Sequence, residues 1–159
     1  MEPTLLTHKF TLVPSSFFNT ESARDMLAEV VDLSEDAVIR HMDVAQYGAV
    51  LVYSDISGGS DLVPEMFCIL RDLPSCPEYN KVLCSWIDGY IYLAIAQGRN
   101  LSLANAYRAA DFTTAEYYVF LAMKSLQLNP EVTTICWRTP LGPDEEMSLY
   151  RYFKSVEHI

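Results

Sequence analysis

The sequence predicts a mixed α+β fold with α/β character in its second half, on three observations. Residues 81–107 hold three apolar runs separated only by Asp88-Gly89 and by Gln97-Gly98-Arg99-Asn100. Tight turn signals between β-branched and aromatic runs mark successive hairpins. Residues 113–128 then repeat apolar side chains three and four apart, as an amphipathic helix does. A short β-branched run at 132–138 comes next, and Pro143 with Asp144, Glu145 and Glu146 opens a last helical segment.

Composition narrows the partners before any motif is considered. With 159 residues, half of them hydrophobic, the chain can bury a core as one domain or two small ones. Eleven Lys and Arg against 21 Asp and Glu leave a formal charge of −10. Phosphate backbones are bound by clustered cations, so the sequence predicts no nucleic-acid partner, and an anionic membrane surface is disfavoured for the same reason. No apolar run approaches the roughly 20 residues of a membrane span, and residues 1–9 lack a basic stretch followed by an apolar one, so a cytoplasmic location is expected. Cys68, Cys76, Cys84 and Cys136 share no CxxC spacing and are expected as buried thiols, while His8, His41 and His158 stand alone.

In chain order, KFTLV at 9–13 alternates as a strand does, and Pro14 should end its ladder. Asn19 or Thr20 caps a helix expected over 21–30, with Ala23, Met26, Leu27 and Val30 on one face. After an acidic turn at 32–36, strands are expected at 37–42 and 49–53. The glycine-containing SDISGGSD at 54–61 lacks the Lys-Ser or Lys-Thr pair of a phosphate loop and the twelfth-position glutamate of a calcium loop, and so reads as a solvated connection. A helix over 62–73 carries Pro64 in its first turn. The two prolines of 74–80 suggest a linker, giving a small α+β subdomain at 1–74 and a second unit at 81–159.

In that second unit, strands are expected at 81–87, 90–97, 100–107 and 132–138, and helices at 113–128 and 143–156. Residues 90–96 are apolar on both faces, which implies an interior strand covered on both sides, by helices or by a partner. Thr113 and Glu116 have capping-box spacing. Ala115, Tyr118, Val119, Ala122, Met123 and Leu126 make the core stripe of their helix, and Glu116, Lys124 and Gln127 its polar face. Phe120 falls on that polar face as a candidate partner contact. The terminal helix should turn Met147, Leu149, Tyr150 and Phe153 inward.

FTLVPSSFF at 10–18 and LANAYRAADFTTAEYYVFLAMKSLQLNP at 103–130 resemble a domain-of-unknown-function family of Bacteroidetes with an actin-like ATPase fold. The resemblance runs through nearly the whole chain. It implies a ribonuclease-H-like unit over 81–156, made of three antiparallel strands, a helix, a parallel strand and a helix. Family members carry another such unit before the FTLVP segment, so the resemblance implies a shortened member or a fragment. It also implies where nucleotide and magnesium would sit, at Asp-Gly hairpins from two units and a glycine pair near the adenosine. Here one hairpin is present, Asp88 and Gly89, followed by Tyr90, Ile91 and Tyr92 where the family pattern has Gly, Ser and Thr. The adenosine-side segment, Arg138-Thr139-Pro140-Leu141-Gly142, holds a single glycine.

No catalytic residues emerge. Three scattered histidines build no Ser-His-Asp or Cys-His arrangement, and Glu145 and Glu146 are the acids expected at a helix's positive end. Asn100-Leu101-Ser102 is a chance glycosylation triplet in a cytoplasmic chain. The expected function is protein contact or self-association through a homodimer, without a cofactor. The alternative is ATP and Mg²⁺ binding at Asp88 and Gly89, with Asp111 or Asp144 as further acids. Turn and cap roles account equally for these aspartates.

Overall fold

Alternating and β-branched runs pair as they should, and the pairs assemble into two sheets in two units. The computed structural model describes residues 2–59 and 61–159, with one unit at Glu2–Cys68 and the other at Ile69–Ile159.

In the first unit, β1 (Phe10–Pro14), β2 (Ile39–Val44) and β3 (Ala49–Ser54) form an antiparallel sheet in the order β1-β3-β2. The central strand β3 is buried at every residue. Pro14 is the last residue of β1, opposite Ala49, a place where a strand on the sheet's edge tolerates a missing N–H. Asn19 accepts from the Glu21 N–H at 2.8 Å and caps a 3₁₀ turn, Thr20–Ser22, that leads into α1 (Ala23–Ala28). The helix expected over 21–30 is thus shorter, and Val30 is exposed, outside the core that Ala23 and Leu27 make with Val13, Val50 and Val52. The strand expected at 37–42 begins two residues later.

The SDISGGSD connection is fastened at its start, and Ser60 lies outside the described residues. The buried Asp55 carboxylate takes the Arg40 Nε–H at 2.8 Å, the Ser57 backbone N–H at 3.0 Å and the Ser57 hydroxyl. The Ser57 hydroxyl, with the Ser57 N–H and Arg40, outweighs burial and holds its pKa below the usual carboxylate value. Near the start of the chain Leu5 bridges Pro64, and the Thr4 hydroxyl donates to Glu65 at 2.7 Å. α2 (Glu65–Asp72) follows Pro64 and runs across the division between the units.

In the second unit, β4 (Asn80–Ile87), β5 (Tyr90–Gln97) and β6 (Asn100–Arg108) are successive antiparallel neighbours. β7 (Thr134–Trp137) lies parallel to β4, and β8 (Ser155–His158) parallel to β7, giving the order β6-β5-β4-β7-β8. Ile91, Leu93 and Ile95 point from β5 into a core with Ala115, Val119 and Met123 of α3 (Phe112–Ser125). Tyr92, Ala94 and Ala96 on the opposite face are buried too, so β5 is the interior strand expected. The 3₁₀ turn Leu73–Ser75 lies against β4 and β5.

The second unit departs from several expectations. The terminal helix does not run over 143–156: α4 spans Pro143–Tyr150, and Ser155-Val156-Glu157-His158 alternates as a strand and forms β8. Pairing puts Val156 beside Ile135 in the core, a gain that further helix would forgo. Of the side chains expected on its inner side, Leu149 and Phe153 are buried, whereas Met147 and Tyr150 are exposed. The Thr113–Glu116 capping box does not form either. Asp111 caps α3 by accepting the Thr114 N–H at 2.7 Å, and Glu116, expected on the polar face, is only 7% exposed. Finally, α3 ends at Ser125 and not at 128. Gln127 turns left-handed at φ 58°, the Leu128 N–H reaches the Met123 carbonyl at 2.9 Å, and the Gln127 N–H reaches Lys124 at 3.0 Å. Val132 sits in the following 3₁₀ turn, Pro130–Val132, so the strand expected at 132–138 shortens to four residues.

Candidate functional site

The Asp88-Gly89 hairpin is the site the sequence singles out. Asp88 at φ 52° and Gly89 at φ 78° are both left-handed, as a two-residue turn of type I′ requires, and Asp88 is exposed. The Gly89 carbonyl accepts the Ala109 N–H at 2.8 Å. Ile91 faces the α3 core and Tyr92 the other buried face, while Tyr90 is half-buried.

The parallel strands β4 and β7 end beside this hairpin, and aromatic rings fill the space there. Trp86 and Phe112 lie 5.4 Å apart by ring centroids, and Phe112 and Trp137 5.6 Å. Their polar atoms are answered internally. The Thr139 hydroxyl oxygen accepts both the Trp86 backbone N–H at 3.0 Å and the Trp137 indole N–H at 2.8 Å. The Trp86 indole N–H donates to the Ala109 carbonyl at 2.9 Å. Asp111 is engaged as a cap, and the Thr114 N–H holds its carboxyl below the usual range. Asp144 lies in the first turn of α4 with Glu145 and Glu146. Among the described residues, no three His, Cys, Asp or Glu side chains gather in a group that could hold a metal ion. All four cysteines are buried, and none is in a disulfide among the described residues.

A second candidate lies on the outer side of α3. Tyr117, Leu121 and Lys124 follow one another at four and three residues, which places them on one helical stripe. Tyr117 is 53% exposed and Leu121 48%, and Tyr152, from the turn after α4, is 48% exposed beside them. Phe120 is half-buried between Tyr152, at 5.0 Å edge-on, and Phe153, at 5.7 Å and nearly parallel. Two concavities share Phe120, Lys124 and Tyr152: one of about 380 Å³ over Glu116 and Tyr117, the other of about 720 Å³ reaching Glu131 and Arg151. Together they form one open groove.

Glu116 is the buried acid of this groove. The Ser148 hydroxyl lies 2.9 Å from each of its carboxylate oxygens, joining α3 to α4. Burial pushes its pKa up, against the opposing pull of Ser148 and the Arg151 charge. Arg151 and Lys124 are both exposed, and neither side chain makes a hydrogen bond or a salt bridge to the described residues. Sequence periodicity had placed Lys124 and Gln127 on the outer face and Phe120 with them. Arg151 and Tyr152 were missed because the terminal helix was expected to continue through them. The alternation of 155–158 is the signal that could have ended it earlier.

A solved structure from Bacteroides thetaiotaomicron VPI-5482, described as a protein with an actin-like ATPase fold and unknown function, aligns with a TM-score of 0.78. The fold of this chain is actin-like. The two sequences are 16% identical, and the alignment covers 97% of this chain and 66% of that one, so the likeness carries the architecture alone. No family model and no curated protein matches the sequence. The actin-like fold accounts for the mixed sheet of the second unit, with β4 central and β7 parallel to it. No helix of the described residues is long and apolar enough to cross a membrane.

Proposed function

We propose that this chain is a non-catalytic actin-like module that acts by protein contact or self-association in the cytoplasm, without nucleic acid or membrane. One observation carries the reading: Tyr117, Leu121, Met147, Tyr150 and Tyr152, from α3, α4 and the turn after α4, are all exposed large apolar side chains. Tyrosines at interfaces combine a large contact area with a polar tip. The −10 charge supports the absence of polyanionic partners. The test is a photo-cross-linker at position 117 or 121 in the living cell, together with sedimentation of the purified chain over a hundredfold range of concentration. A discrete cross-linked species, or a concentration-dependent dimer, is expected. A monomer with no cross-linked species from either position would refute the reading.

The second reading is ATP and Mg²⁺ at Asp88 and Gly89. It is favoured by the hairpin's position where β4 and β7 end, since ligands of open α/β sheets bind outside the carboxyl ends of parallel strands. A ligand at 100 times its Kd adds about 2.7 kcal/mol of stability. Millimolar nucleotide should then raise the thermal midpoint by several degrees, and Asp88→Asn should abolish the rise.

A further inference from the structure

Among the described residues, seven of the eleven Lys and Arg side chains have a hydrogen-bond or salt-bridge partner. Arg40, Arg71, Arg138 and Lys154 pair with carboxylates, and Lys9, Arg24 and Lys81 donate to backbone carbonyls. That leaves four of eleven, and two of the four, Lys124 and Arg151, line the same concavity of the α3 groove. The other two lie at the ends of the edge strand β6, Arg99 just before it and Arg108 as its last residue. There the Asn105 side chain accepts the Ala106 N–H at 2.9 Å, which blunts that edge for strand addition.

Lys124 and Arg151 stand beside apolar rings without a hydrogen bond or salt bridge to the described residues, although the Arg151 charge acts on the buried Glu116, in a chain with ten excess acids. Lys124 lies on the stripe of Tyr117 and Leu121, and Arg151 is the immediate neighbour of Tyr152. Such a groove offers apolar area for side chains and two positive charges for carboxylates. Its volume suits a short peptide, and its half-exposed walls leave it open along its length in the manner of a peptide groove. A second copy of the chain would bring ten further negative charges to a chain that already carries an excess of ten, which disfavours self-docking. Glu131 at the far end of the groove opposes an acidic occupant locally, and the buried Glu116 does so from beneath.

We propose that the α3 groove is the binding site for a short acidic peptide segment of another protein, whose carboxylates meet Lys124 and Arg151 and whose aromatic or aliphatic side chains lie against Tyr117, Leu121 and Tyr152. The proposal rests on the protein-contact reading and names the surface and the chemistry of the partner.

The test is selection of displayed random 12-residue peptides on the full-length chain, followed by titration of the enriched peptides in labelled form. Enriched sequences should combine Asp or Glu with Phe, Trp or Leu. Their affinity should fall roughly tenfold or more in K124E/R151E, and several-fold between low and high salt, as solvent-exposed charge pairs do. Both substituted side chains are exposed, so K124E/R151E should stay folded, with a thermal midpoint within a few degrees of the parent measured at a pH below the range in which Glu116 ionises, where the lost Arg151 charge matters least. Tyr117→Ser and Leu121→Ser should weaken the same peptides. Basic or neutral enriched peptides, affinity unmoved by K124E/R151E, or no enrichment would overturn the groove assignment, and cross-links at 117 or 121 would still uphold protein contact. A concentration-dependent dimer abolished by K124E/R151E would replace the peptide with a second copy. A thermal shift with dodecanoate, lost in K124E/R151E and unaccompanied by peptide binding, would replace it with a small anionic amphiphile.

Discussion

The hairpin end of the second sheet and the outer side of α3 hold similar materials and use them in opposite ways. Both combine aromatic rings with polar atoms. At the hairpin end, Trp86, Phe112 and Trp137 pack on one another, and a single hydroxyl, that of Thr139, serves two tryptophan-borne N–H groups. On the outer side of α3, Tyr117, Leu121 and Tyr152 stand half in solvent, and Lys124 and Arg151 make no hydrogen bond or salt bridge to the described residues. Stability should therefore reside at the first place and binding at the second. In an actin-like fold that is an inversion of emphasis, because the carboxyl ends of parallel strands are where open α/β sheets usually receive ligands.

The largest expected effect is the removal of Trp137. It is buried in the core with Ile135 and Phe112 near it, and Trp137→Ala should cost about 3–5 kcal/mol. The chain has two tryptophans, so Trp86 fluorescence still reports the unfolding of this unit. A loss below about 1 kcal/mol would mean that the hairpin end is loosely packed, and the contrast with α3 would fail. Thr139→Val comes next. It keeps the shape and removes the shared acceptor, leaving two N–H groups unanswered at about 1–3 kcal/mol each.

Glu116 sharpens the comparison through pH. Its pKa is raised by burial, so its contribution to stability is complete below the unfolded-state value and is lost as pH rises through the folded one. Glu116→Gln should consequently match the parent near pH 4 and gain on it as pH rises toward 7, since a Gln oxygen can still accept the Ser148 hydroxyl. Asp72 has the opposite sign. Burial raises its pKa, but hydrogen bonds from Arg71 and Arg138 outweigh this and lower it. Its stabilising contribution is present above the unfolded-state value and is lost as pH falls through the folded one. Denaturant midpoints of the parent, Glu116→Gln and Asp72→Asn between pH 3 and 7 separate the two.

These sites differ in how far the sequence revealed them. Hairpins, interior strand and long helix were legible because each has its own local signal: Asp-Gly at the turn, apolar residues on both faces of 90–96, and a helical stripe at 115–126. Tertiary competition was not legible. Ser155 to His158 left a helical pattern for a parallel partner in β7, a pairing that links residues 21 positions apart at each step, Thr134 with Ser155 among them. Glu116 had the spacing of a capping box, yet Asp111 took the cap and Ser148 the carboxylate. The groove was half visible, in Phe120 and Lys124, because its other wall depends on where α4 stops.

A smaller effect is expected at Gln127, where the left-handed residue closing α3 is not glycine. Gln127→Gly should stabilise the unit by about 0.5–1 kcal/mol, by relieving the positive-φ cost at the helix end. A loss instead would mean that the Gln127 side chain, which lines the groove, contributes more to packing than its exposure suggests.

The smallest expected change in stability is also the most direct test of the division between the two regions. Tyr117 and Leu121 are about half exposed, and exposed substitutions away from caps and buried networks shift stability by no more than about 0.5 kcal/mol each. Y117S/L121S should therefore unfold within about 1 kcal/mol of the parent on the same additive basis, while losing the cross-linked species captured at neighbouring positions of α3. If the double variant instead loses several kcal/mol, the two side chains belong to the core and the outer side of α3 is as structural as the hairpin end. Unchanged stability with unchanged capture would place protein contact elsewhere on the molecule.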